Sequence, residues 1–365
     1  MRKIAIYLPQ FHPIEENNKW WGEGFTEWTN VVKSKPRFKN HYQPQLPSSL
    51  GFYDLRLKES RLLQEKLAKD YNIHGFCYYH YWFNGKRLLN EPIDRKFENK
   101  EEKLPFMFCW ANENWTRAWN GSEKNILIKQ NYSEEDDRNH IKFLLKYFKD
   151  ERYIKVNGKP VFIVYKPDLF PNIKKTIEIF RNEAKKEGVE LYICWFERSI
   201  GWNQSDSKGA GFDASIDFQP LSSSYKKFIK RREEKFSKKT FLLKKGLSLI
   251  KRIKAIGNKN IKLNNLVNYK DFVEFDLAQK DEGKKYPGIC PGWDNSSRRT
   301  NQNATIFYNN TPELFKKWYE GKCNDFVPFS DEEDFIFINA WNEWAEGNHL
   351  EPCEKWEKSF LEVIK

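Results

Sequence analysis

Three observations predict an α/β fold, a (β/α)8 barrel of the TIM type. Eight short apolar runs recur along the 365 residues, amphipathic segments separate them, and polar or aromatic residues follow most of the runs. Near-continuous apolar runs are typical of parallel strands covered on both faces, and their alternation with helices is typical of repeated βα units. A doubly wound open sheet would give the same alternation. The count of eight favours closure, and no glycine-rich phosphate loop follows an early strand.

The predicted strands are short and rich in β-branched and aromatic residues. They occupy residues 3–11, 73–83, 105–113, 160–167, 190–197, 213–220, 288–294 and 334–341. Helical patterns occupy residues 54–71, 133–150, 172–187, 269–280 and 311–320. The segment 133–150 opens on Ser133 followed by four acidic residues, which indicates an N-cap with acids suited to the helix dipole.

Two insertions interrupt the repeating pattern: a long loop at 12–52 after the first strand, and a basic insertion at about 222–268 between strands six and seven. No repeat or low-complexity linker divides the chain, so a single domain over residues 1–365 is predicted. Residues 226–254 hold 13 Lys or Arg and 2 Glu, a net charge of +11 within a total of +12. Their apolar and cationic residues recur at helix-like spacing, which suits an anionic membrane surface and equally suits a solvated helix.

The composition predicts a cytoplasmic protein. Six Cys are scattered with no C-x-x-C pair, as expected of reduced thiols. The apolar run near the N-terminus is only about five residues long, too short for a signal core, and no run approaches the roughly 18 residues of a membrane span. If the basic segment binds lipid, the protein would be peripheral on the inner face of the plasma membrane.

Polar and aromatic residues follow six of the eight predicted strands, where a barrel of this type builds its active site. Carboxylates among aromatic rings suit a carbohydrate, because sugar C–H faces stack on rings while hydroxyls need polar partners. The spacing of the histidines matches no metal motif, and no catalytic serine triad is present, so neither a metal nor a cofactor is predicted. The substrate-binding candidates are Gln10, His12, Trp20, Trp21, Glu27, His80, Trp82, Trp110, Asn112, Glu113, Trp115, Arg117, Trp293, Asp294 and Asn342.

Two pairs of carboxylates have the chemistry for acid–base work on a glycosidic bond. Glu113 after the third strand and Glu343 after the eighth would face each other across the barrel mouth. Glu343 and Glu346 lie three positions apart in the segment NAWNEWAEG, and both would reach one sugar ring from the same side. The residues alone leave both pairs open.

Five blocks of sequence together resemble the WbsX family: YLPQFHPIEENNKWWGEGFTEWTNV, FCYYHYWFNGKRLL, FCWANENWTRAWNG, PGWDNSSRR and NAWNEWAEGNHLEP. These proteins are described as glycosyltransferases of O-antigen or capsule assembly, and the family is similar to glycoside hydrolase family 99, the endo-α-mannosidases. The resemblance runs from residue 4 to about residue 353, apart from the basic insertion. It implies a (β/α)8 barrel and a retaining reaction through a 1,2-anhydro sugar. By position it implies that Glu343 is the base on the sugar 2-hydroxyl, that Glu346 is the general acid and then base, and that Glu113 binds a hydroxyl.

The sequence therefore predicts a retaining glycosyltransferase of surface polysaccharide (O-antigen or capsule) biosynthesis, whose carbohydrate substrate is an activated or lipid-linked sugar. An endo-acting retaining glycoside hydrolase, similar to an endo-α-mannosidase, is the alternative. A nucleic-acid binder is disfavoured, because the basic segment carries few aromatic residues and the rest of the chain is close to neutral. No nucleic-acid partner is predicted.

Overall fold

A computed structural model describes residues 1–117, 122–202, 204–207, 209–239, 264–299 and 303–365. All eight predicted strands are present, and each is covered on both faces, which explains their near-continuous apolar sequence. They are β1 (Arg2–Tyr7), β2 (Gly75–Phe83), β3 (Phe106–Trp110), β4 (Lys159–Val164), β5 (Tyr192–Glu197), β6 (Ala214–Asp217), β7 (Lys285–Tyr286 and Gly288–Ile289) and β8 (Phe335–Ile338). Neighbouring strands pair in parallel from β1 to β6, and β8 pairs in parallel with β1.

Strand β7 closes the barrel because its two parts pair with different neighbours. Lys285–Tyr286 pairs in parallel with β6, and Gly288–Ile289 pairs in parallel with β8. The two parts are joined by a single residue, so the sheet is continuous around the barrel, and the predicted fold is confirmed. Gly288 is required at this seam: a Cβ atom there would lie 1.9 Å from the carbonyl oxygen of Asp217.

Helices follow the strands around the outside of the barrel, and two short ones lie in the long loop after β1. Ser133 caps the N-terminus of the helix Glu134–Phe148 as predicted, since its Oγ accepts a hydrogen bond from the amide of Asp136 at 3.1 Å. The helices are α1 (Glu15–Trp21), α2 (Glu27–Lys33), α3 (Lys58–Asp70), α4 (Glu91–Glu98), α5 (Glu134–Phe148), α6 (Ile173–Lys186), α7 (Gln204–Ser207), α8 (Ser223–Lys239), α9 (Tyr269–Leu277), α10 (Pro312–Asp325) and α11 (Ser359–Glu362).

Short additional strands lie outside the barrel. Lys86–Leu88 pairs with the end of β2, Lys155–Val156 with β4, and Trp115–Arg117 with Ser122–Ile128, all antiparallel. Asn265–Asn268 and Thr305–Tyr308 pair in parallel, and Asn342–Glu343 pairs antiparallel with Asn348–His349.

Helix α8 is the described beginning of the basic insertion, and it packs on the barrel wall through one face. The ring of Phe228 lies 5.6 Å from that of Phe272 in α9, and Nη1 of Arg232 donates to the carbonyl of Leu266 at 2.7 Å. Residues 240–254 of the basic segment lie outside the described residues. Among the helices that are described, none has the length and apolar character needed to span a membrane.

Two 3-10 helices set the position of the barrel mouth after β7 and β8. They are Asn295–Arg298 and Trp344–Glu346. Asn342 ties the second of these segments to the end of β1, because its amide exchanges two hydrogen bonds with the backbone of Leu8, at 2.8 and 3.0 Å. Behind the turn, Oε2 of the buried Glu351 accepts from the indole Nε1 of Trp344 at 2.7 Å. The beginning of the turn that carries Glu343 and Glu346 is therefore fixed from the interior.

Candidate active site

A cavity of about 350 Å³ opens at the carboxyl ends of the barrel strands. Its lining comes from the long loop after β1 and from the segments that follow most of the other strands, the face on which barrels of this type build their sites. Seven of the sequence-predicted residues line it: Gln10, Trp21, Glu113, Trp115, Trp293, Glu343 and Glu346. The two carboxylates of the NAWNEWAEG segment thus share one cavity with three tryptophans and an amide.

The centre of this cavity is a single guanidinium that contacts three carboxylates. Nη1 of Arg298 lies 2.6 Å from Oε1 of Glu346, and Nη2 lies 2.8 Å from Oε2 of Glu343. On its far side, Arg298 also binds Oε1 of Glu27, with Nε at 2.8 Å. Glu27 is fully buried and does not line the cavity. It therefore orients Arg298 from behind, and Arg298 in turn holds Glu343 and Glu346 side by side.

Burial and charge act in opposite directions on this pair of carboxyls. Burial raises the pKa of Glu343 to about 8. The positive charge of Arg298 opposes this shift, whereas the neighbouring Glu346 raises the pKa further. Burial also raises the pKa of Glu346, again opposed by Arg298. Carboxyl groups with raised pKa values retain protons near neutral pH, which is the condition for general acid–base catalysis.

Two further polar side chains in the cavity wall have buried atoms with no hydrogen-bond partner in the described part of the chain. These atoms are Nε2 of Gln10 and both the nitrogen and the oxygen of the Asn17 amide. An unpaired buried amide is costly, whereas a ligand hydroxyl that donates and accepts would satisfy it. Asn17 is absent from the residues predicted from the sequence, because it gives no local signal beyond a place in the long loop after β1.

Tyr79 and Tyr81 of β2 also line the cavity. The residues predicted from the sequence were their neighbours, His80 and Trp82. His80 and Trp82 point outwards into the layer of α5: Nε2 of His80 lies 3.0 Å from Nε2 of His140, and Nε1 of Trp82 donates to Asp136 at 3.0 Å. Side chains alternate between the two faces of a strand, so choosing the wrong parity selects the wrong face. Period-two counting from the barrel interior would have found the two tyrosines.

Trp110 likewise faces the outer layer, with its ring 4.4 Å from that of His140 and 5.3 Å from that of Phe170. It is fully buried and does not line the cavity. The structure therefore does not bring His80, Trp82 or Trp110 to the mouth of the barrel. We leave these three residues out of the candidate site.

Several other predicted residues support the site from the interior without lining the cavity. Oδ1 of Asn112 accepts from the amide of Lys166 at 2.8 Å, and Asp294 accepts from Nε2 of Gln43 at 2.6 Å. Asn342 binds the backbone of β1, as described above. His12 is buried without a hydrogen-bond partner among the described residues, and burial lowers its pKa to about 4, so it is neutral.

The remaining candidates lie near the third strand. Trp20 contacts Trp115 edge to face at 5.7 Å and so supports a ring that lines the cavity. Glu113 lines the cavity and forms an ion pair with Nζ of Lys166. The side chain of Arg117 lies outside the described residues. Within the described ranges, no three His, Cys, Asp or Glu side chains are grouped as metal ligands.

Comparison with known proteins gives a family match over almost the whole chain. A family model described as Glycosyltransferase WbsX matches residues 3–364. Two proteins named uncharacterized protein WxcX, from two strains of Xanthomonas campestris pv. campestris, are each 34% identical to this chain over 366 residues. The match covers 99% of this chain and 49% of each relative, so the chain spans about half the length of the curated relatives it matches.

Solved structures share the barrel at low sequence identity. One is described as a glycoside hydrolase-like protein, with a TM-score of 0.58 and 11% identity over 100% of this chain and 92% of that one. Another is the GH99 endo-α-mannosidase from Bacteroides thetaiotaomicron, with a TM-score of 0.56 and 13% identity over 100% of this chain and 94% of that one. These likenesses show the fold.

Proposed function

The chain belongs to the glycosyltransferase WbsX family, and from this premise we propose that it is a retaining glycosyltransferase of surface polysaccharide biosynthesis. Family and fold together support a carbohydrate-active enzyme that is glycosyltransferase-like or glycoside hydrolase-like. The finer assignment, transfer of a sugar in O-antigen or capsule assembly, is our proposal. Its expected substrate is an activated or lipid-linked sugar.

One observation carries the proposal: Glu343 and Glu346 are held by the same guanidinium, in a cavity with aromatic and amide walls. Trp21, Trp115 and Trp293 offer flat faces for the C–H surfaces of sugar rings. Gln10 and Asn17 offer unpaired amides for their hydroxyls. We favour the pair Glu343 and Glu346 over the pair Glu113 and Glu343, because Glu343 and Glu346 share one cation whereas Glu113 pairs with a different one, Lys166.

In the first step, Glu343 accepts the proton of the donor sugar's 2-hydroxyl, and O2 forms a bond to C1. The bond between C1 and the leaving oxygen breaks, and Glu346 donates its proton to that oxygen. The product is a 1,2-anhydro sugar, with the proton now on Glu343 and a negative charge on Glu346. Burial raises the pKa of both carboxyls, which favours proton uptake by Glu343 and the protonated form of Glu346.

In the second step, Glu346 accepts a proton from the acceptor hydroxyl, whose oxygen attacks C1. The bond between C1 and O2 breaks, and O2 regains its proton from Glu343. Two inversions at C1 give net retention, and both carboxyls return to their starting state. The same step with water as the acceptor would be hydrolysis, so the identity of the acceptor separates the transferase from an endo-acting hydrolase.

The basic face of α8 is the part of the insertion for which we propose a peripheral position on an anionic membrane. Lys226, Lys227 and Lys230 are exposed on this helix, whereas Phe228 and Arg231 contact rings of α9. A position at the inner face of the plasma membrane would place the barrel near lipid-linked sugars. Residues 240–254 carry the rest of the basic segment.

The experiment that tests the function is mass spectrometry of reaction products. The enzyme is incubated with lipid-linked acceptor extract and a panel of activated sugars, and in parallel with α-linked oligosaccharides, with Glu346→Gln as the blank. An acceptor that gains the mass of one sugar residue supports the transferase and identifies the class of sugar. Oligosaccharides that are shortened without any transfer product would instead support the endo-acting hydrolase.

A further inference from the structure

A second groove, of about 530 Å³, adjoins the cavity on the side of α1 and α2. Its wall is formed by the segment from 30 to 37 and by the 3-10 helix that ends at Arg298. Trp21 and Arg299 line both the groove and the cavity, so the two spaces meet there. Arg299 directly follows Arg298, which holds Glu343 and Glu346. A ligand whose sugar occupies the cavity would therefore extend into this groove.

The described lining of the groove is cationic and contains no carboxylate. Its charged residues are Lys33, Lys35, Arg37 and Arg299. Lys33 and Lys35 are exposed, and neither forms an ion pair with any residue that the structure describes. Arg37 is fixed in place, since Nη1 donates to Oδ1 of Asn264 at 2.9 Å and Nη2 donates to the carbonyl of Ser296 at 2.7 Å. The groove thus combines a fixed cation with two adaptable ones.

Neutral hydrogen-bond donors complete the lining. The hydroxyls of Ser34, Ser296 and Ser297 and Nδ2 of Asn30 are buried atoms with no partner among the described residues. Each of them can donate a hydrogen bond, and the lysines beside them only donate. A wall of donors with no competing carboxylate matches a group that carries many acceptor oxygens and negative charge. A neutral glycan would leave the lysines without partners.

We propose that this groove binds the phosphate or diphosphate of a phosphorylated sugar substrate of the same active site. The inference rests on the proposed function, because it takes the sugar of that substrate to lie at Glu343 and Glu346. It adds a binding site for the phosphate of that substrate, whether the phosphate belongs to a lipid diphosphate or to a nucleoside diphosphate. The net charge of the described lining suits a diphosphate better than a single carboxylate.

Titration calorimetry with inorganic pyrophosphate tests the groove without requiring turnover. The wild-type protein is expected to bind it, and the double variant Lys33→Ala/Lys35→Ala to bind at least tenfold more weakly. The matched control is Lys174→Ala/Lys270→Ala, which removes two exposed lysines that line neither the groove nor the cavity. Equal affinity in the two double variants, or no binding of pyrophosphate by the wild type, would overturn the proposal.

Two further arms identify the source of the phosphate and separate this proposal from the function of the barrel. Uridine diphosphate and farnesyl diphosphate are titrated in parallel, and the tighter ligand distinguishes a nucleotide-linked from a lipid-linked substrate. Glu346→Gln should lose catalysis and still bind pyrophosphate. If that variant binds normally and the lysine variant does not, the groove is supported whatever the fate of the proposed transferase.

Discussion

Nη2 of Arg298 lies 2.8 Å from Oε2 of Glu343, and this contact couples the charge of the candidate base to a cation that also holds Glu346. Without the guanidinium, burial alone would favour the neutral form of both carboxyls. With it, the positive charge lowers both pKa values and so favours ionisation of each carboxyl. The single arginine therefore links the protonation of the two groups on which the proposed chemistry depends.

The first prediction concerns the two carboxyls that we propose as catalytic, those of Glu343 and Glu346. Glu343→Gln and Glu346→Gln should each lower turnover by about 10²–10⁴-fold, because each removes one proton-transfer group and keeps the shape of the side chain. Steady-state rates on the substrate found by mass spectrometry measure the effect, and thermal unfolding verifies that both variants fold.

The matched control for these variants is Glu113→Gln, in the carboxyl of the competing pair. Glu113 lines the cavity and pairs with Lys166, so its loss should weaken substrate binding and raise KM more than it lowers kcat. If Glu113→Gln is as inactive as Glu343→Gln while Glu346→Gln has near-normal turnover, Glu113 and Glu343 would instead be the catalytic pair.

The fold was predictable because local sequence pattern determines which segments are buried. All eight runs of apolar residues became barrel strands, although the observed strands are shorter: residues 3–11 became Arg2–Tyr7, and 105–113 became Phe106–Trp110. In these two strands the surplus residues leave the sheet at its carboxyl end and lie at the site. Polarity alone does not distinguish the last residue of a strand from the first residue of the loop that follows it.

The site was predictable in its carboxylates and less so in its walls. Glu343 and Glu346 lie in a distinctive segment, whereas the side-chain face of His80 depends on strand parity, which adjacent aromatic residues conceal. The partnership of Glu27 with Arg298 joins residues 271 positions apart, and no local pattern encodes that distance. The unpaired amide of Asn17 became visible only with the packing around it.

The second prediction concerns pH dependence. Activity should rise with pH towards about 8, because Glu343 must be ionised to accept the 2-hydroxyl proton. Arg298→Gln removes the cation that lowers the pKa of Glu343, so the rising limb should move upwards by about one to three pH units. Arg298→Lys keeps the positive charge and should retain most of the original profile. Profiles of activity against pH for the wild type and both variants measure the shift. A rise in activity at the same pH in Arg298→Gln as in the wild type would contradict the prediction.

The third prediction concerns Glu351, which supports the turn that carries Glu343 and Glu346 from the interior. Its carboxyl accepts from Tyr53, Gln64 and Trp344, and burial raises its pKa to about 7. A pKa raised on folding contributes stability that is fully present below the unfolded value of about 4.5 and is lost as pH rises through about 7. The difference between the folded and unfolded pKa values corresponds to about 3 kcal/mol of unfolding free energy.

Glu351→Gln removes this titration, so its unfolding free energy should change less between pH 5 and pH 7.5 than that of the wild type. Urea unfolding at both pH values measures the difference. Glu354→Gln, at an exposed position three residues away, is the control and should follow the wild type. Parallel pH dependence in wild type and Glu351→Gln would show that Glu351 does not titrate in this range.

The fourth prediction tests closure of the barrel at β7. Gly288→Ala places a Cβ 1.9 Å from the carbonyl oxygen of Asp217, so strands β6 and β7 must separate, at a cost of about 3 kcal/mol or more. Gly188→Ala is the control: its φ of +72° strains an alanine by about 1–2 kcal/mol, but no atom lies within 4 Å of the new Cβ. Denaturant unfolding compares them, and equal losses would mean that the seam tolerates a side chain.

The fifth prediction concerns the exposed face of α8. Each lysine near an anionic surface contributes about 1 kcal/mol, so reversing Lys226, Lys227 and Lys230 to Glu should release the protein from phosphatidylglycerol liposomes. Charge reversal is preferable to deletion, because Phe228 on the opposite face packs against Phe272. Reversal of the exposed Lys142 and Lys146 on α5 and of Lys149 directly after it changes the net charge equally and is the control. Co-sedimentation measures binding. Release by both triple variants would indicate an effect of total charge, and release by neither would remove α8 as the membrane contact.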